Sequence, residues 1–178
     1  MSDCPKAEAD DRRLGEAGET HVLRLLRERL PGTVRNGHQY AKFDYRHAGS
    51  HTDIELKTRR CQITSFPSFF VDQDKIRRGR LRQELGASER TIYLFLFEPL
   101  GWSGAGEVWG WIDDGRELAT VYSANSRRPG IMDKKLACIP RDLLTPLENL
   151  LPVPATLPSP IPEEIEIDHE NSVPLEVL

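Results

Sequence analysis

Residues 43–60, FDYRHAGSHTDIELKTRR, hold Asp44, Asp53, Glu55 and Lys57 in a segment that otherwise reads as two short strands around Ala48–Gly49–Ser50. Successive side chains of a strand alternate faces, so Asp53, Glu55 and Lys57 share one face while Ile54, Leu56 and Thr58 share the other. The apolar face packs. With antiparallel neighbours joined by so short a connection, Asp44 on the first strand can lie opposite the Glu55–Lys57 stretch of the second. On a bare hairpin this mixture is ordinary, because one face of an antiparallel pair can be solvated. The alternative is that the four side chains converge on a metal ion. Two neighbouring carboxylates repel, which raises one pKa unless a divalent cation neutralises them. Hard oxygen donors of this kind suit Mg²⁺ or Mn²⁺ rather than a thiolate-preferring ion.

Upstream, residues 11–30 place Leu14, Gly18, Val22, Leu25, Leu26 and Leu30 at three- and four-residue steps, predicting a helix that Pro31-Gly32 ends. At about 100° per residue Glu19 lies about 60° from Val22, within the arc that faces the core, whereas Glu28 points away. An inward carboxylate needs a cation, a metal or a hydrogen-bond partner. Taken alone, Glu19 reads as a residue at the helix margin that reaches water or an arginine. Glu16 lies farther round the helix.

Downstream, FPSFFVDQDKIRRGRLRQELGAS (66–88) predicts a helix starting at Asp72 or Gln73 and ending near Gly86. It carries Lys75, Arg77, Arg78, Arg80 and Arg82, which either oppose phosphates or form a solvated face. TIYLFLFEP (91–99) is a near-continuous apolar run suited to a strand covered on both faces. GEVWGWIDD (106–114) reads as an outer strand whose Trp109 and Trp111 cap the core or stack on bases. KKLACIP (134–140) reads as a last strand, and RDLLTPLENLL (141–151) as a short closing helix interrupted near Pro146. This order predicts an α/β sandwich around a mixed sheet.

Composition bounds the function classes. The chain has 178 residues, 38% of them hydrophobic and 29% charged, which is globular rather than disordered, and it contains no apolar run long enough to span a membrane. Cys4, Cys61 and Cys138 are widely separated and form no CxxC, and the N-terminal MSDCPKAEADDRR lacks the apolar core of a secretory signal. A reducing cytoplasm is the expected compartment. Residues 151–178 hold six of the 13 prolines, six acids and no Lys or Arg, which predicts a flexible Pro-rich acidic tail behind a domain of residues 1–150. Taking those six acids from the chain's 28 leaves 22 against 24 Lys and Arg, a net +2 for the body. G-x-S-x-G, a P-loop and the dinucleotide glycine fingerprint are all missing, so serine hydrolase, NTPase and dehydrogenase readings lack their parts. His47 and His51 sit around Gly49 in a loop, not on one helical face, so zinc ligation is not expected of them.

The helix-borne Glu of GEAGE, the Asp of FDY and the E-x-K of ELK on the following strand resemble the active-site framework of the PD-(D/E)XK nuclease superfamily, including its Holliday-junction-resolvase-like members. The motifs cover residues 14–60, and the element order continues loosely to about residue 150. Phe43 stands where the family commonly has Pro. The resemblance implies a restriction-endonuclease-like α/β core, a central mixed β-sheet flanked by helices in αβββαβ order. It implies Asp44 and Glu55 as Mg²⁺ ligands, with Mn²⁺ as a substitute, Lys57 as the residue that orients the attacking water, and Glu19 as an auxiliary acid in the metal shell. Arg59, Arg60, Gln73, Lys75, Arg77, Arg78, Arg80 and Arg82 form the expected nucleic-acid-binding set. The implied activity is Mg²⁺-dependent hydrolysis of DNA phosphodiester bonds, structure-specific in the manner of repair, recombination or phage DNA processing. A homodimer is a further expectation, since resolvase-like members are often dimers. The competing reading is a non-catalytic nucleic-acid-binding or assembly protein of the same fold that engages a protein partner through its acidic tail.

Overall fold

The computed structural model describes residues 5–37, 42–98, 106–123 and 134–153. Helix α1 spans Pro5–Arg29. Its apolar stripe places Val22 and Leu26 at full burial, and Gly32, at a φ of 89°, takes the left-handed turn that ends the helix region and leads into β1 (Thr33–Arg35). Strands β2 (Tyr45–His47) and β3 (Thr52–Arg59) form the expected hairpin, with Tyr45 opposite Ile54. A fourth strand, β4 (Ser68–Asp72), precedes helix α2 (Gln73–Glu84), whose first turn is capped by the Asp72 side chain accepting from the Asp74 N–H at 3.0 Å. Then follow β5 (Arg90–Phe97), β6 (Glu107–Ile112), β7 (Thr120–Ser123), β8 (Lys134–Pro140), the two-residue β9 (Thr145–Pro146) and the one-turn helix α3 (Leu147–Leu150).

The architecture is α/β with a mixed central sheet of order β1-β2-β3-β5-β6-β9. β3 and β5 run parallel from Thr52/Arg90 to Arg59/Phe97, and every other pairing in this sheet is antiparallel. The order helix, three strands, helix, strand is present, with β4 inserted before α2. That insertion belongs to a second sheet, β4-β8-β7, where one sheet was expected. β4 is hidden in sequence because SFFVD runs directly into the helix it caps. β6 is not an outer strand, since β9 pairs beyond it, and Trp111 is buried while Trp109 is half-buried. The single closing helix expected near the end is a 3₁₀ turn (Arg141–Leu143), β9 and α3 in succession.

β5 explains its own composition. Ile92, Leu94 and Leu96 pack with Val22, Leu26 and Leu56 beneath α1, while Tyr93, Phe95 and Phe97 pack with Phe69, Val71, Ala137 and Ile139 of the second sheet. Alternate residues feed two cores, so neither face can be polar. Leu151 also packs in the first core, so the chain body extends past the expected boundary at 150, and residues 154–178 of the expected tail lie outside the described residues. Among the described residues no helix is long and apolar enough to cross a membrane.

Candidate active site

The face of β3 opposite Ile54 and Leu56 carries Asp53, Glu55 and Lys57, as the alternation requires, and α2 covers part of it. Glu55 is 1% exposed. A buried carboxylate must be paired, and this one has a cation on each oxygen. Lys57 Nζ donates to Oε1 at 2.6 Å and Lys75 Nζ, from α2, donates to Oε2 at 2.8 Å. The β2–β3 register, carried one residue beyond the Tyr45–Ile54 pair, brings Asp44 beside Glu55, and Asp44 Oδ2 accepts from the Leu56 N–H at 2.7 Å. That bond fixes Asp44 one residue ahead of β2, rather than on the strand as the sequence suggested.

Glu19 reaches the same end of the sheet from α1. Its carboxylate pairs with the Arg35 guanidinium, and its backbone carbonyl accepts from Tyr45 Oη at 2.8 Å. Burial holds the Glu19 carboxyl above its ordinary range; Arg35 opposes this, and the charges of Asp44 and Glu16 reinforce it. α1 approaches closely here because of Gly18, where a Cβ would come within 2.9 Å of Leu96 Cδ2 and 3.0 Å of Thr58 Oγ1. Glu19, Lys57, Arg59 and Arg60 line one cavity of about 360 Å³, walled also by Leu14 and Leu56. The structure thus places Asp44 beside Glu55 and Lys57, and brings Glu19, from the α1 side, near Asp44 and into one cavity lining with Lys57. It also gives Glu19 the arginine that the helix pattern alone suggested.

The cations of α2 and its neighbours divide by role. Lys75 belongs to Glu55. Arg82 pairs with buried Asp53, Nε to Oδ2 at 2.6 Å, which removes Asp53 from the candidate ligand set. Arg80 grips buried Asp113 with two bonds of 2.9 Å and also donates to the Arg116 carbonyl, tying α2 to the end of β6. Arg77 and Arg78 are exposed and pair with Asp74 on their own helix. Arg59 donates to the Phe70 carbonyl at 2.6 Å and lies 5.8 Å from the Phe95 ring centroid, linking the two sheets. Gln73 opens α2 and lines a different groove, with Arg77, Arg80 and Lys135. Sequence order grouped these cations by proximity along the chain. The carboxylate partners of Lys75, Arg82 and Arg80 lie 20, 29 and 33 residues away, where no local pattern signals them.

Among the described residues no three His, Cys, Asp or Glu side chains come together as a set that could hold a metal ion. The donor chemistry nevertheless fits Mg²⁺, which is commonly held by one or two protein carboxylates, its remaining positions filled by water and substrate phosphate. Asp44 and Glu55 would be those two. Glu19 is turned to Arg35. No family model, no curated protein and no solved structure matches this chain.

Proposed function

We propose that this chain is a Mg²⁺-dependent nuclease with a restriction-endonuclease-like core, hydrolysing DNA phosphodiester bonds at the β2–β3 end of the central sheet. The observation that carries the reading is Glu55, a carboxylate buried to 1% exposure beside Asp44 and bonded to Lys57 two residues on. Burying a carboxylate is costly unless it is paired, and here the pairing comes from two lysines beside a second carboxylate, a set that a metal ion and a water can use. In this reading Asp44 and Glu55 hold the ion, which would stabilise charge on the scissile phosphate and acidify a bound water. Lys57, fixed by Glu55 at the mouth of the cavity, orients the attacking water by hydrogen bonding. Glu19, held near Asp44 on α1, orders water on the far side of the carboxylate pair. Arg60 and Lys57, lining the cavity, attract the phosphate backbone.

The non-catalytic alternative is favoured by one observation: both Glu55 oxygens already have ammonium partners. The two readings part in one experiment. Purified protein is incubated with plasmid, linear duplex, single-stranded and branched DNA, in Mg²⁺ and in EDTA. Cleavage of at least one substrate in Mg²⁺ and none in EDTA is expected. Binding without cleavage of any substrate, in Mg²⁺ or Mn²⁺, supports the alternative instead.

A further inference from the structure

The second ammonium on Glu55 has no task in the reaction proposed above. Lys75 Nζ sits in a three-sided cradle formed by Glu55 Oε2 at 2.8 Å, the backbone carbonyl of Lys42, and the Phe43 ring, whose centroid is 5.6 Å away. A carboxylate, a carbonyl and an aromatic face are each cation-binding groups. Two of the three belong to the segment that leads into Asp44. The helix backbone holds Lys75 against this cradle. The Lys75 carbonyl accepts from Tyr93 Oη at 3.2 Å, and one turn later Gly79 lies so close to the sheet that a Cβ would meet Thr91 Oγ1 at 2.8 Å. The side chain, by contrast, is 26% exposed, so its head can swing towards solvent while the backbone stays fixed.

We infer that Lys75 is an internal counter-cation for Glu55, and that a divalent cation binding the Asp44–Glu55 pair must displace its ammonium from Oε2. The inference rests on the nuclease reading for the presence of that metal site, and it adds the group that competes for it. Two cations that need the same carboxylate oxygen repel each other at contact distance. Lys57 on Oε1 keeps the carboxylate oriented throughout. Without Lys75 the buried Glu55 would lose half its compensation whenever metal is scarce. With it, the cradle stays filled, and metal binding is weakened by the same interaction.

The test compares Mn²⁺ binding by full-length wild type, Lys75→Met and Lys75→Arg, followed by the paramagnetic resonance of free Mn²⁺. Lys75→Met should bind about tenfold more tightly, the scale of one like-charge contact in a partly water-exposed setting, and Lys75→Arg should stay near wild type. A merely structural lysine would give weaker binding in Lys75→Met. Equal or weaker binding in that variant, when wild type binds, overturns the inference and leaves the nuclease reading standing. Failure of both proteins to bind overturns both, because removing the competitor should uncover the site. A measurement on wild type is independent of how the variants fold: the ¹⁵Nζ resonance of Lys75 should shift in step with Mg²⁺ occupancy. An unchanged resonance while Asp44 and Glu55 signals move overturns the inference.

Discussion

Glu55 and Glu19 show two ways of keeping a carboxylate out of water, and they respond differently to substitution. Glu55 is compensated by two ammonium groups that themselves remain about a quarter to a third exposed. Glu55→Ala would strand both lysines over a new cavity, so the informative change is Glu55→Gln, which keeps shape and removes charge. It should lower cleavage by at least about 10²-fold, the usual scale for a metal ligand's supporting interactions, while the far-ultraviolet dichroism stays that of wild type. Lys57→Met should lower kcat by about 10²–10⁴-fold with DNA affinity little changed, as loss of a proton-handling or water-orienting group does. Unaltered turnover in both variants would remove β3 from the chemistry. Glu19 makes a prediction in pH. Its carboxyl is held above the ordinary 4.5 by burial, against Arg35 and with Asp44 and Glu16. The folded state therefore binds this proton more tightly than the unfolded chain. The stability it contributes is fully present below that ordinary value and is lost as pH rises through the raised one. Glu19→Gln cannot ionise and lacks this loss. In metal-free buffer, the stability of wild type relative to Glu19→Gln should fall from about pH 4 towards neutrality; urea titrations at several pH values measure it, and a constant difference contradicts it.

Helix α2 sets the geometry of the site, because it carries Lys75 to Glu55 and Arg82 to Asp53. Its seat on the sheet is cut at Gly79, where Thr91 Oγ1 and Tyr93 Oη would lie 2.8 and 3.0 Å from an added Cβ. Gly79→Leu should therefore lift the helix, costing about 1–3 kcal/mol as overpacking does despite a better helix propensity. It should also loosen the Lys75–Glu55 contact and so strengthen Mn²⁺ binding, whereas Gly15→Leu, with open space around its Cβ, should leave the packing undisturbed. Thermal melts on the pair and Mn²⁺ binding by Gly79→Leu separate these outcomes; cleavage is not read on Gly15→Leu, because Gly15 lines the cavity beside Lys57. α2, β3, β5 and β8 were legible in sequence, because an apolar run or an alternation of adequate length marks each. β1, β4 and β7 were not: three to five residues give too little periodicity, and all four residues of β7 are exposed. The second sheet was lost with them. In the site, Asp44, Glu55 and Lys57 were legible because strand alternation and one short hairpin fix their relation. The role of Lys75 was not, since its bond to Glu55 spans 20 residues and exists only once α2 folds back over β3.

On the scale of the whole molecule, the question is which charges face a polyanion. Arg80 and Arg82 are committed to Asp113 and Asp53, so reversing them would test folding rather than binding. Arg77→Glu with Arg78→Glu alters exposed positions alone. It should weaken DNA binding and reduce the salt slope by roughly one for each phosphate that is no longer neutralised; an unchanged slope would mark α2's outer face as merely solvated. The acids of the C-terminal segment carry charge of the opposite sign. All six lie beyond Val153, in a stretch with no Lys or Arg, attached to a body of net +2. A tethered polyanion competes with DNA for a basic surface wherever it comes within about one Debye length, ~8 Å at physiological salt. Alternatively, Val173, Leu175 and Val177 in VPLEVL supply alternating apolar anchors for strand addition to a partner protein. Truncation distinguishes the two, provided the cut is placed correctly. Ending the chain after Leu150 would delete Leu151, which is 5% exposed in the core and donates its N–H to the Leu147 carbonyl at 2.8 Å. Losing a buried leucine costs on the order of 2–5 kcal/mol, enough to confound any affinity measurement. The cut therefore belongs after Val153. The shortened protein should bind DNA more tightly than the full chain at low salt, with the difference vanishing as salt rises. Equal affinity across the whole titration would rule out competition and leave partner docking, which predicts loss of a co-purifying protein with no change in DNA binding by the purified chain.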